Sequence, residues 1–327
     1  IKAVRRGAAA LAAALLTAPA GAQRAARVPP RPPAPAFAGA DTARLHQALD
    51  SLAAAYEAAP AGRRGVAGYL VHNLDTSERL ARRADEPFPT ASLVKVPVLV
   101  TVHDLVERGM LHRDDPLTVL RIDQVPGAGQ LQYLRPGLAI TVADAAWLMT
   151  TTSDNTATNL LLDRIGIRRV WERMEALGLP RTKIHAKVFQ GALTSVAPDS
   201  SARYGLGVTT PREMARLFAL LADGRAVSPA ADSAMLHVLE HSTDDALLQR
   251  HVAGARAAHK TGATDSVRTE CTLWRLSSRV VACVLTRGNR DTRWLLDSEP
   301  QLLMAAMGRT IAAAWPRSTP PAAATRP

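Results

Sequence analysis

No internal stretch of this 327-residue chain is long and apolar enough to span a bilayer, and no segment repeats. Histidines do not cluster at ligand spacing, and the two cysteines alone cannot make a metal site. No metal and no cofactor are therefore expected. Lysine is rare: of 40 Lys and Arg, five are lysines. The net charge of +11 thus comes mostly from arginine, scattered along the chain. It forms no basic stripe interleaved with aromatics, so the pattern gives nucleic-acid binding no support. The apolar fraction, 47%, is ordinary for a globular protein. At this length the chain can bury a substantial core.

The N-terminus has the layout of a bacterial-type secretory signal. Lys2, Arg5 and Arg6 precede the apolar run "AAALAAALLTAPA", and small residues at Ala20 and Ala22 place cleavage after Ala22. The expected product is periplasmic or secreted. No cysteine follows the apolar run, so no lipid anchor is expected there. The expected organisation is a signal over 1–22, a proline-rich tether over 23–36, a folded part over 37–315 and a disordered tail over 316–327.

Helical spacing of Leu45, Leu49, Leu52 and Tyr56 predicts a first helix capped by Asp41. Two strands follow, "GVAGYLVHNL" and "ERLARRA", and then a helix from about Ser92 to Gly109. The middle of the chain reads as helical. Thr141 with Asp144 and Thr210 with Glu213 form capping-box-like starts. Three closing strands run from "HKTGAT" through the hairpin "TECTLWRLSSRVVACVLT". A last helix starting at Ser298 is expected to turn Leu302, Leu303, Met307 and Ile311 to the sheet. The hairpin, centred near Ser277, sets Cys271 opposite Cys283. A cross-strand disulfide and two buried thiols both fit that placement. The fold class is α/β: an antiparallel five-stranded sheet flanked by helices (37–90 and 208–315), with an inserted all-helical subdomain (91–207).

Chemistry is concentrated in three short motifs. Ser92 and Lys95 lie three apart at a helix start and share a face. A desolvated lysine there could take the serine proton. Ser153-Asp154-Asn155 falls between two helices, and Lys260-Thr261-Gly262 opens a strand. Each has a plain structural explanation as a cap, a turn or a polar strand end. Together and in this order, S-x-x-K, S-D-N and K-T-G resemble the class A β-lactamase and penicillin-binding protein superfamily. The resemblance covers about residues 40–315. "GARAAHKT" from Gly254 only approximates a phosphate-binding loop: His259 stands at the second glycine position, and a strand follows.

That resemblance implies roles. Ser92 would attack a carbonyl and become acylated, with Lys95 as its base. Ser153 would pass a proton to the leaving nitrogen. Asn155 would hold the substrate amide and orient Lys95. Lys260 and Thr261, with Gly262, would bind a substrate carboxylate. The N–H groups of Ser92 and Ala263 would form an oxyanion hole. Arg268, by strand alternation, is expected on the Lys260 face as a carboxylate clamp. The substrate would be a small-molecule β-lactam or a cell-wall D-amino-acid peptide, and the protein a monomer.

One departure is specific. These β-lactamases carry E-x-x-L-N in the loop after S-D-N, and its glutamate activates the deacylating water. Here the loop "KIHAKVFQGALTSVAPDSSARYGLGVTTP" has no Glu and no Asn. Asp199 is its only carboxylate and the candidate substitute base, with His185 behind it. The alternatives to β-lactam turnover are a penicillin-binding peptidase or esterase and a sensor that keeps its adduct. A glutaminase-type relative also uses S-x-x-K, but S-D-N with K-T-G speaks against it.

Overall fold

The computed structural model describes residues 39–58, 65–252 and 254–316. The signal over 1–22, the tether over 23–36 and all of the tail but Pro316 lie outside the described residues. No described helix is long and apolar enough to cross a membrane.

In chain order come α1 (Gly39–Glu57), β1 (Val66–Asn73), β2 (Arg79–Arg82), β3 (Phe88–Pro89) and a 3-10 turn (Ala91–Val94). Then follow α2 (Lys95–Glu107), β4 (Pro116–Thr118), β5 (Ala139–Thr141), α3 (Val142–Thr151), α4 (Asn155–Ile165) and α5 (Ile167–Ala176). The loop region holds β6 (Lys183–Ile184), α6 (Gly191–Thr194), α7 (Pro198–Tyr204) and β7 (Gly207–Thr209). The chain closes with α8 (Pro211–Ala222), α9 (Pro229–Leu239), β8 (Arg256–Thr264), β9 (Val267–Arg275), β10 (Arg279–Arg287) and α10 (Glu299–Ala314).

The main sheet has the expected five strands, ordered β2-β1-β10-β9-β8 and antiparallel throughout. Alternation along each strand feeds two cores. Leu70, Ala258, Leu273, Val281 and Leu285 pack toward α2, α8 and α9. Tyr69, Val71, Trp274, Ala282 and Val284 pack against Leu45 and Leu49 of α1 and Met304, Met307 and Ile311 of α10. A one-residue slip would swap every one of these side chains to the wrong core, so the register is strongly specified.

Cys271 and Cys283 face each other in that register and form a disulfide, with Cα atoms 4.1 Å apart. Closing a loop of sequence separation 12 removes unfolded-chain entropy worth roughly 2–3 kcal/mol. Replacing both cysteines by alanine is expected to lower the calorimetric unfolding midpoint by several degrees. An unchanged midpoint would show that the bond adds nothing to stability.

Four local expectations change. Asp41 sits inside the first turn of α1, not at its cap. The helix at Ser92 begins as a 3-10 turn and becomes α-helical only at Lys95. Thr141 and Asp144 form a complete capping box, but at Thr210 only half of one forms. The Glu213 carboxylate instead accepts from the Arg181 N–H and the Thr182 hydroxyl, tying the loop to α8. In α10, Leu302 is half exposed and Met304 takes the buried position. The helical period carries residues 303, 304, 307 and 311, but not 302, toward the sheet.

Candidate active site

Ser92 stands on a turn made rigid by its neighbours. Thr90 is fully buried; its N–H donates to Gly207 O at 3.0 Å and its carbonyl accepts from Thr269 Oγ1 at 2.9 Å. Ala91 adopts φ +46, a conformation non-glycine residues avoid unless the surroundings impose it. Ser92 is half-buried. From the other side comes the edge strand β8. A Cβ on Gly262 would lie 2.5 Å from Thr90 O, 2.6 Å from Thr269 Oγ1 and 2.8 Å from Leu93 N. Only glycine lets the strand approach this closely. The close approach sets Gly262 of β8 against the turn that carries Ser92.

Lys95 is 1% exposed at the first position of α2. Its Nζ lies 2.5 Å from Ser153 O, 2.8 Å from Asn155 Oδ1 and 3.0 Å from Ser153 Oγ. Desolvation, reinforced by the charge of Lys260, holds its pKa well below the ordinary lysine value; Asp154 pulls weakly the other way. A neutral amine has two N–H donors and one lone pair. The two carbonyl oxygens take the donors, and the Ser153 hydroxyl sits where it can exchange a proton with the lone pair. A neutral Lys95 in this setting has the chemistry of a proton acceptor with a hydroxyl beside it.

The S-D-N segment has structural and chemical roles at once. Ser153 adopts φ +57, turning its carbonyl and hydroxyl together toward Lys95. Asp154 caps α4 by accepting from Ala157 N and pins the preceding loop through Gln130 N and Leu131 N. Asn155 Nδ2 donates to Pro126 O at 2.9 Å, which fixes its Oδ1 toward Lys95. Asn155 is thereby held against Lys95.

Lys260 is also buried; its Nζ donates to Thr261 O at 2.8 Å. Burial lowers its pKa to about 8, against the favourable charges of Asp244 and Glu270. Thr261 Oγ1 donates to Asp244 Oδ2 at 2.7 Å. Asp244 was not singled out by sequence; an Asp-Asp pair in a polar turn carries no signal of its own.

Two expected residues do not join this group. Arg268 pairs with Ala263 across the hairpin and shares the face of Thr261, not that of Lys260. The two-residue turn Asp265-Ser266 reverses the parity, so even numbers on β8 face with odd numbers on β9. Its guanidinium, 1% exposed, donates to the carbonyls of Thr264, Val267 and Arg293 and stacks on Trp294 at 4.6 Å. Those contacts hold the guanidinium buried between the strands, away from an open cleft, so the clamp is not formed. Asp199 is exposed in the first turn of α7 and makes no hydrogen bond to Ser92, Lys95, Ser153 or Asn155. It sits as a carboxylate favoured by the helix N-terminus. His185 is buried, with Nδ1 3.1 Å from Gly205 O, and packs.

The loop meets α4 through the Lys187–Asp163 ion pair at 2.8 Å and through Val188 and Phe189. Asn159, one turn beyond Asn155, accepts from Val188 N–H at 2.8 Å and donates to Val188 O at 3.1 Å. Phe189 follows with φ +57. Phe189 Cε2 and Asn155 Nδ2 lie 3.2 and 2.8 Å from the point a Cβ on Gly127 would occupy, so the ring flanks the site. Sequence alone could not place Phe189, because its position depends on the Asn159 clamp.

Comparison with known proteins agrees with this geometry. The model of the β-lactamase enzyme family matches residues 45–315. A β-lactamase from Sphaerobacter thermophilus superposes with TM-score 0.71 at 26% identity, covering 82% of this chain and 97% of its own. A mutant of PBP-A, in an acyl-enzyme complex with penicillin G, gives TM-score 0.71 at 28% identity over 83% of this chain and 96% of its own. The β-lactamase regulatory protein BlaB of Streptomyces cacaoi is 33% identical over 97 residues, 29% of this chain; the match spans 31% of that protein's length. The chain belongs to the β-lactamase enzyme family.

Proposed function

We propose that the protein is a serine hydrolase that forms an acyl-enzyme at Ser92. The observation that carries the reading is the buried Lys95 held by Ser153 and Asn155. Ser92 Oγ attacks the carbonyl carbon of a β-lactam or related amide or ester, and its proton passes to Lys95 Nζ. The N–H groups of Ser92 and Ala263 hold the developing oxyanion, a contribution of about 3–4 kcal/mol per donor in comparable sites. The carbon–nitrogen bond then breaks, and the leaving nitrogen takes a proton through Ser153 Oγ, which Lys95 restores.

Release of the acyl group is the weak step. The loop offers Phe189 beside Asn155, and its one carboxylate, Asp199, is exposed on α7. That favours slow deacylation, as in a penicillin-binding protein or a sensor, over rapid β-lactam turnover. The relatives named above include a protein in an acyl-enzyme complex with penicillin G and a regulatory protein, which is compatible with this reading. Export to the periplasm or the exterior is part of the proposal. It rests on the N-terminal signal pattern, and the Cys271–Cys283 bond suits an oxidising compartment.

Intact mass against time tests this directly. With excess penicillin G, the mature protein is expected to gain the mass of one penicillin within minutes and keep it for hours. Ser92→Ala should gain nothing. Rapid loss of penicillin with little adduct would replace slow release by a working β-lactamase. An adduct that survives Ser92→Ala would remove Ser92 as the nucleophile.

A further inference from the structure

The hydroxyl that would receive a substrate carboxylate is already in use. Thr261 has one O–H to donate, and it donates to Asp244 Oδ2. The loop holding Asp244 is fastened on both sides. Thr243 donates through N–H and Oγ1 to Thr151 O at 3.0 and 3.1 Å. Asp244 Oδ1 accepts from Ala246 N–H at 3.2 Å, and Asp245 lies 3.3 Å from His259 Nε2. His259 and Thr261 alternate on one face of β8, so the two carboxylates grip the edge strand at successive positions. Asp244 itself is exposed, within reach of an incoming ligand.

Acidic groups already face the positive charge nearby. Asp244 and Glu270 both act on Lys260 in favour of its protonated form. The Lys260 ammonium donates to Thr261 O, and Arg268 directs its donors to backbone carbonyls. A substrate carboxylate entering here would meet a second carboxylate, with Asp245 one residue away, and would find no free hydroxyl. Two like charges at contact distance, partly shielded from water, repel strongly.

We propose that Asp244 is a resident carboxylate in the carboxylate subsite, and that it makes this protein select acyl donors that are neutral beside the scissile carbonyl. The inference rests on the reading of Ser92, Lys260 and Thr261 given above and names the substrate class within it: esters and amides lacking a free carboxylate at that position.

Penicillin G and its methyl ester form a matched pair of probes that differ in that one charge. Their dissociation constants are measured at equilibrium in the Ser92→Ala protein, where no covalent step intervenes, and again with Asp244→Asn or Asp244→Ala added. The ester is expected to bind more tightly than the acid while Asp244 is present. Both added substitutions should improve acid binding relative to ester binding by about tenfold. Asp244→Asn keeps the side-chain shape, so it separates charge from occlusion. An acid-to-ester ratio that stays the same in both variants overturns the proposal, as does an acid preference that falls when Asp244 is removed. Failure of the nucleophile assignment looks different: with Ser92 present, no adduct forms with either probe, whatever the binding ratio does. Asp244→Asn can still accept from Thr261 and Ala246 and is expected to keep the parent unfolding midpoint, with Asp244→Ala somewhat lower.

Discussion

Replacing Lys95 by methionine lowers the rate of Ser92 acylation by about 10²–10⁴-fold, the range expected when a positioned proton acceptor is removed. Methionine keeps the unbranched stem that packs inside α2 and removes the amine. The pH profile separates this from a packing effect. In the native protein Lys95 accepts a proton only when neutral. Desolvation and Lys260 hold its pKa well below the lysine value of 10.5. Acylation therefore rises with pH through that depressed pKa and levels off above it. The variant should lose this limb along with the rate. Folding should not suffer in proportion, because a buried amine carries a desolvation penalty that methionine lacks. The measurement is the second-order acylation rate constant across pH, beside a thermal scan. A variant that acylates slowly with the same rising limb would mean that another group is the base.

Replacing Gly262 by alanine is expected to cost about 1–3 kcal/mol of stability and on the order of 10²-fold in acylation. The added Cβ would stand 2.5 Å from Thr90 O and 2.8 Å from Leu93 N, both backbone atoms of the nucleophile turn. Neither can rotate away. Either β8 or the turn must shift, and displacement by a fraction of an ångström separates the Ser92 and Ala263 N–H groups. Gly191→Ala is the control, since its nearest neighbour would be 4.0 Å away. It should leave both quantities within error. Wild-type acylation by Gly262→Ala would show that the close approach does not position the oxyanion site.

Much of this was determined by the sequence. Short apolar runs bounded by turn residues, in "GVAGYLVHNL" and the cysteine hairpin, defined their strands, and burial of both faces against different cores admits only one register. Of the three motifs, the structure bonds Lys95 to Ser153 and Asn155. The tertiary structure decided what depends on contacts far along the chain. The parity of Arg268 turned on a hairpin of two residues and not three. Glu213 left its capping box for Arg181 and Thr182, some 30 positions away in sequence. Asp199 became the first-turn residue of a short helix, and Val188 was clamped by Asn159, 29 positions away. Asp244 reached Thr261 across 17 residues. Local pattern reports the face a residue presents and the bonds its immediate neighbours offer. Which distant donor or acceptor finally claims it is settled by how the elements pack, because every buried polar group must find a partner somewhere in the finished fold.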